Sequence, residues 1–225
     1  MTTLKEAPGA PPFIVYPGEP SLTVRIMEAG LMPLLAFVPI PHAALRWYLE
    51  RDNAAENERG WERLRDVNEM GRYQVVQGYI ETFAPGGAVL DLGCAQGILQ
   101  EGLRYGAYTG LDPLAETIET ARGREDDRTR FVVGDAAAYV PDREYDAIVF
   151  NECLYYFDDP VETIRRYRSF LAPDGVFVIS LFNRLWFSRR LLRRLPAVGR
   201  LAAQTRVYSR QGAGWTIGVY VPGEG

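Results

Sequence analysis

Three groups of residues in this chain are spaced for chemistry. The first couples a carboxylate to glycines. Residues 88–90 form a short apolar run closed by Asp91, and Gly93, Cys94, Ala95 and Gly97 follow. A strand that ends in such a turn lets backbone approach a ligand with no Cβ in the way. The free N–H groups of a helix starting at Ile98 would then face that ligand. A dinucleotide site asks for G-x-G-x-x-G, and Ala95 stands at its second glycine, so a pyrophosphate loses its close approach. The second group is Asp112, which closes the next apolar run about 20 residues on, where a doubly wound fold holds ribose hydroxyls. A carboxylate can accept both hydrogen bonds of a cis-diol. It can equally cap the helix that Pro113 would open at its first position. The third group is residues 151–157, Asn-Glu-Cys-Leu-Tyr-Tyr-Phe. Glu152 can orient an amine, and Tyr155 with Tyr156 can form an aromatic wall that holds a cation, although at least one of the two is expected to pack under the following helix.

A sheet has to place these side chains. Apolar runs predict strands at 89–92, 107–111, 131–133, 145–150 and 176–181, with two more at 205–209 and 215–221 around the turn 211–214. Helical patterns fall between them at 98–105, from Pro113, at 160–171 and at 185–195, the last ended by Pro196. Alternating strands and helices imply an α/β fold with a parallel, doubly wound sheet. Ahead of it, 42–84 reads as helical, broken at Gly71 and closed by Pro85-Gly86-Gly87. Residues 1–41 read as an extended apolar arm, with Phe13, Ile14 and Val15 and an apolar run at 31–40 carrying Pro33 and Pro39. The core is then 85–225.

Composition narrows the classes. The chain has 225 residues and a formal net charge of −4, which argues against general nucleic-acid binding. Its 2 cysteines, Cys94 and Cys153, fall in or beside core strands and read as reduced, buried thiols. The run at 31–40 is too short to span a bilayer, and no signal-peptide pattern opens the chain, so a cytoplasmic protein is expected. The sequence from 175 onward is basic, with Arg189, Arg190, Arg193 and Arg194 on one face of the predicted last helix. That face is either solvated or docks an anion such as a charged substrate or a carrier protein.

Asp91, Gly93 and Gly97 resemble motif I of the class I S-adenosylmethionine (SAM) methyltransferases, D-x-G-x-x-x-G. Asp112, Asp135 and the 171–175 stretch Leu-Ala-Pro-Asp-Gly match later motifs of that family in the right order. The resemblance covers 72–221. It implies a seven-stranded Rossmann-like sheet in the order 3-2-1-4-5-7-6, with the 42–84 helices as a lid. It implies SAM held by Asp91, Gly93, Cys94, Gly97, Asp112, Pro113, Asp135, Ala136 and Asn151, with Arg72 toward the methionine carboxylate. It places Glu152, Tyr155, Tyr156 and Tyr73 on the catalytic side, with Glu152 also suited to the methionine ammonium. His42, the only histidine, is carried as a candidate base or a helix cap. In the ubiquinone-pathway O-methyltransferases the 152–157 loop resembles Glu-x-Leu-Glu-His-Val. Here Tyr155 and Tyr156 replace the second acid and the histidine, and phenols are poor ligands for magnesium or zinc, so no metal is expected. The Leu-Tyr-Tyr form is similar to nodulation-type N-methyltransferases acting on small molecules.

The expected activity is therefore methyl transfer from SAM to an O or N atom of a small metabolite. Two other readings stay open: cyclisation or cleavage of SAM itself, and a non-catalytic SAM-binding subunit. The apolar arm suggests either a strap over the acceptor or an exchange between two subunits.

Overall fold

The computed structural model describes residues 63–183, 186–209 and 214–223. His42, the arm at 1–41 and the first part of the expected lid lie outside the described residues.

Seven strands build one sheet: β1 (Ala88–Leu92), β2 (Ala107–Asp112), β3 (Thr129–Val133), β4 (Tyr145–Asn151), β5 (Leu171–Phe182), β6 (Arg200–Tyr208) and β7 (Gly214–Val221). Their spatial order is β3-β2-β1-β4-β5-β7-β6, as the family resemblance implied. The first five run parallel, and β7 lies antiparallel between β5 and β6. The central strands are buried on both faces, which is why they read as continuous apolar runs and not as alternation. Two apolar clusters result, one on each face. Helices α1 (Val67–Phe83) and α2 (Ala115–Arg122) cover one through Val76, Ile80, Ile118 and Ala121. Helices α3 (Pro160–Tyr167) and α4 (Trp186–Arg194) cover the other through Val161, Ile164, Tyr167 and Leu191. Among the described residues no helix is long and apolar enough to cross a membrane.

Several expected elements come out differently, each for a local reason. Gly71 does not break α1: the helix runs through it, and a Cβ there would sit 3.3 Å from Val207 Cγ1 of β6. The glycine serves close helix–sheet packing. The expected helix at 98–105 is a single 3₁₀ turn, Ile98–Gln100, ended before Gly102 at φ 81. Ile98, Leu99 and Leu103 are still buried, so the apolar spacing is satisfied without a helix. Pro113 does not open α2, which starts at Ala115 with Leu114 as N-cap. The 171–175 stretch does not precede β5 but bulges inside it: pairing jumps from Tyr145↔Leu171 to Ala147↔Val176. Strand β6 starts five residues earlier than its apolar pattern, because an edge strand needs no buried face over 200–204.

The helix α4 carries the expected polarity. Arg189, Arg190, Arg193 and Arg194 are exposed while Leu191 is buried. Arg194 pairs with Asp159 at 3.2 Å, and Arg190 lies over the Trp186 ring.

Candidate active site

Strand order reverses at β1, which has β2 on one side and β4 on the other. In open α/β sheets, ligands bind outside the carboxyl ends of the strands at this switch point. Here a cavity of about 1400 Å³ lies there, lined from the ends of β1, β2, β3 and β4 and from α2 and α3. That exceeds the usual span of about 300–1,000 Å³ for a single drug-sized ligand, so two reactants fit together.

Asp91 stands at its floor. The residue is 1% exposed, and Tyr108 OH donates to its Oδ2 at 2.7 Å. Its other oxygen, Oδ1, is buried with no hydrogen-bond partner. Burial, helped by Asp112, pushes this carboxyl up to about 7, against the pull of Tyr108 and Arg72. An orphaned buried acceptor of this kind calls for a ligand donor. Above it the glycine turn is tightly set. Gly93 takes φ 72, and a Cβ there would lie 2.6 Å from Cys153 Cβ. Ala95 is left-handed too, at φ 47, which costs a non-glycine residue about 1–2 kcal/mol. Asp112 Oδ2 holds that turn by accepting from Ala95 N at 2.9 Å.

Asp112 thus performs the structural role that its position allowed. Its Oδ1 accepts from Leu114 N at 2.9 Å and from Thr117 Oγ1 at 3.2 Å, fastening the start of α2. The carboxylate still lines the cavity, and burial raises its pKa. With two acceptor positions per oxygen, Oδ1 is filled and Oδ2 keeps one. Asp135 and Ala136 border the same cavity in the loop after β3. Asp135 Oδ1 accepts from Ala137 N at 2.8 Å, folding the loop on itself. From α3, Arg166 donates to the carbonyls of Ala136, Ala137 and Tyr139, and Tyr167 OH donates to Ala136 O at 2.7 Å.

Just past the end of the neighbouring β4, Glu152 takes φ 64, a strained conformation for glutamate. Ser180 Oγ donates to Oε1 at 2.9 Å and Tyr155 OH donates to Oε2 at 3.0 Å. Burial raises the Glu152 pKa, while Arg72, Ser180 and Tyr155 act against it. Arg72 is 2% exposed and reaches in from α1. It donates to Asn151 Oδ1 at 2.5 Å and to Glu69 Oε2 at 2.9 Å, and lies 4.3 Å from the Tyr73 ring centroid. Burial would lower its pKa, but Tyr73, Glu152 and Glu69 overcome that and keep it charged.

The structure gathers Arg72, Tyr73, Asp91, Gly93, Cys94, Asp112, Pro113, Asp135, Ala136, Asn151, Glu152 and Tyr156 around one cavity. Two expected residues stand apart. Gly97 faces Phe131, whose ring a Cβ would meet at 2.6 Å, so its φ of 72 serves core packing. Tyr155 is buried beneath the loop: its OH also accepts from Phe182 N at 2.5 Å and its ring meets Phe187 edge-on. Of the two tyrosines, Tyr155 is the one that packs away and braces Glu152, and Tyr156 lines the cavity. The helix dipole expected at Ile98 is also missing, since one 3₁₀ turn cannot supply it. Sequence reasoning missed Tyr108, Ser180 and Arg166. Their roles depend on register and on helix placement, which single-chain spacing does not show. Among the described residues no cluster of three or more His, Cys, Asp or Glu side chains is placed for a metal ion.

Fold and site together define the class I methyltransferase arrangement. The chain belongs to the methyltransferase domain family, which it matches over residues 63–212. It is 34% identical over 112 residues to the ubiquinone biosynthesis O-methyltransferase of Actinobacillus pleuropneumoniae serotype 5b, covering 44% of this chain and 47% of that protein. The chain thus spans about half the length of the curated relatives it matches. Two solved structures share the fold. The N-methyltransferase NodS from Bradyrhizobium japonicum WM9, in complex with S-adenosylhomocysteine, superposes with a TM-score of 0.67 at 20% identity, over 80% of this chain and 99% of that one. The Burkholderia thailandensis 1,6-didemethyltoxoflavin-N1-methyltransferase, with that compound and S-adenosylhomocysteine bound, gives 0.67 at 19% identity, over 83% and 92%.

Proposed function

We propose that this chain transfers a methyl group from SAM to an oxygen or nitrogen atom of a small molecule. One observation carries the reading: a switch-point cavity large enough for two reactants, with the unpartnered Asp91 Oδ1 buried at its floor. Asp91 Oδ1 is suited to an ammonium, as the methionine end of SAM carries. Asp112 offers the remaining acceptor position of Oδ2 to a ribose hydroxyl, and Asp135 with the Ala136 N–H is suited to the adenine. Arg72 keeps further N–H donors for a carboxylate. When bound, SAM supplies a methyl group already activated by the sulfonium, so alignment can provide much of the rate. The protein's part is to hold the acceptor in line and to keep water out, with Glu152 as the polar group nearest to that task. This donor set calls for no metal, because Tyr155 and Tyr156 are phenols, poor ligands for magnesium or zinc.

Incubation with methyl-labelled SAM and a metabolite extract tests the reading. Label in a new product, matched by S-adenosylhomocysteine, is expected. Methylthioadenosine released without any acceptor would instead favour cleavage of SAM.

A further inference from the structure

The charge around the cavity is one-sided. Among the described residues that line it, carboxylates outnumber guanidiniums eight to two, and there is no lysine or histidine. Arg72 has its remaining N–H groups assigned to the methionine carboxylate, and Arg166 is held by the protein. Arg72 bonds to Glu69 and Asn151, and Arg166 bonds to the carbonyls of the loop after β3. Beyond Asp91, Asp112 and Asp135 the lining carries Glu152, Glu116, Asp158, Asp159 and Glu162, of which Asp159 pairs with Arg194 and Glu162 with Arg165. An anionic acceptor would meet the remaining carboxylates with no further described lining cation to receive it.

Glu152 gives the field a focus. Its left-handed backbone is kept although it costs about 1–3 kcal/mol. Ser180 and Tyr155, each almost fully buried, occupy one position on each carboxylate oxygen. A carboxylate oxygen accepts two bonds, so each retains one for a group in the cavity that Glu152 lines. Both bracing partners are donors, so the group that completes the set must be a donor as well. Tyr156 and Phe157 line the same cavity, and aromatic rings attract cations.

We infer that the acceptor is an amine, bound as its ammonium by Glu152 in this acidic, aromatic-walled part of the cavity. This inference rests on the methyltransferase reading above and narrows it from O or N to N. The ammonium gives one proton to Glu152 or solvent. The freed nitrogen pair then forms the N–CH₃ bond as the S–CH₃ bond breaks with its electrons to sulfur. S-adenosylhomocysteine and an N-methylammonium product leave.

Three isosteric probes that differ in charge test it: phenethylamine, 2-phenylethanol and phenylacetate, titrated into the full chain loaded with S-adenosylhomocysteine. Phenethylamine is expected to bind at least about tenfold more tightly than either other probe, the gain of one charge-assisted hydrogen bond. Glu152→Gln is expected to bring the three within about threefold in a variant that still binds S-adenosylhomocysteine. The wild-type comparison stands alone if that variant does not fold. Equal responses to the three probes, no response to any, or a preference for phenylacetate overturns the inference. So does an amine preference that survives Glu152→Gln. Failure of the methyltransferase reading looks different: with methyl-labelled SAM no label would pass to any acceptor, whichever probe the wild-type chain binds.

Discussion

Asp91 is a carboxylate that the fold keeps at a cost. Its pKa in the folded chain is about 7, against 3.8 when unfolded, mainly through burial. Between those values the folded state holds the extra proton, so stability falls as pH rises from about 4 to about 7 and stays reduced above. Asp91→Asn removes that cost while keeping an acceptor for Tyr108. Urea melts of the unliganded protein should show the variant more stable than wild type by roughly 2–4 kcal/mol at pH 8, with the difference shrinking toward pH 4. Calorimetry should show S-adenosylhomocysteine affinity reduced at least about tenfold in the same variant, since the ligand ammonium loses its partner. A variant both less stable at pH 8 and unchanged in binding would contradict the role given to Oδ1. Asp112 behaves oppositely, because its carboxylate fastens Ala95, Leu114 and Thr117. Asp112→Ala should therefore cost about 1–3 kcal/mol of stability as well as affinity. Retained stability together with lost affinity would mean that these three bonds are not what holds the turn.

At the scale of elements, α3 clamps the loop that carries Asp135. Arg166 reaches three carbonyls of that loop from the helix. Arg166→Met should raise the KM for SAM several-fold while leaving kcat within about twofold, because only donor placement is loosened. An equal loss in kcat would place Arg166 on the acceptor instead. Elements were legible in the sequence where burial is two-sided. Strands β1, β4 and β5 are continuous apolar runs ended by an acid, an amide or a turn, so their existence follows from composition alone. The turn after Gly97 was not legible, because Ile98, Leu99 and Leu103 satisfy a helical pattern yet are buried from a 3₁₀ turn. Asp91, Asp112 and Glu152 could be picked out by their places at strand ends. Their partners Tyr108 and Ser180 could not, since register alone brings them within bonding distance. Tyr155 and Tyr156 are adjacent in sequence and only the fold separates the brace from the wall.

The whole molecule is a sheet with one reactive edge. Five parallel strands deliver their carboxyl ends to one side, and the antiparallel β7–β6 pair extends the sheet beyond β5. Next to Glu152 the loop after β4 carries the phenols Tyr155 and Tyr156, poor ligands for magnesium or zinc. Turnover should accordingly be unaffected by EDTA, and loss on chelation with recovery on adding magnesium would contradict this account of the acceptor wall. The central claim is methyl transfer from SAM, and it is tested most directly by following the methyl group. With methyl-labelled SAM and a panel of small amines and alcohols, the account predicts label in a stable acceptor product, in equal amount to the S-adenosylhomocysteine formed. Label that stays in SAM, or leaves in methylthioadenosine with no acceptor labelled, would contradict it.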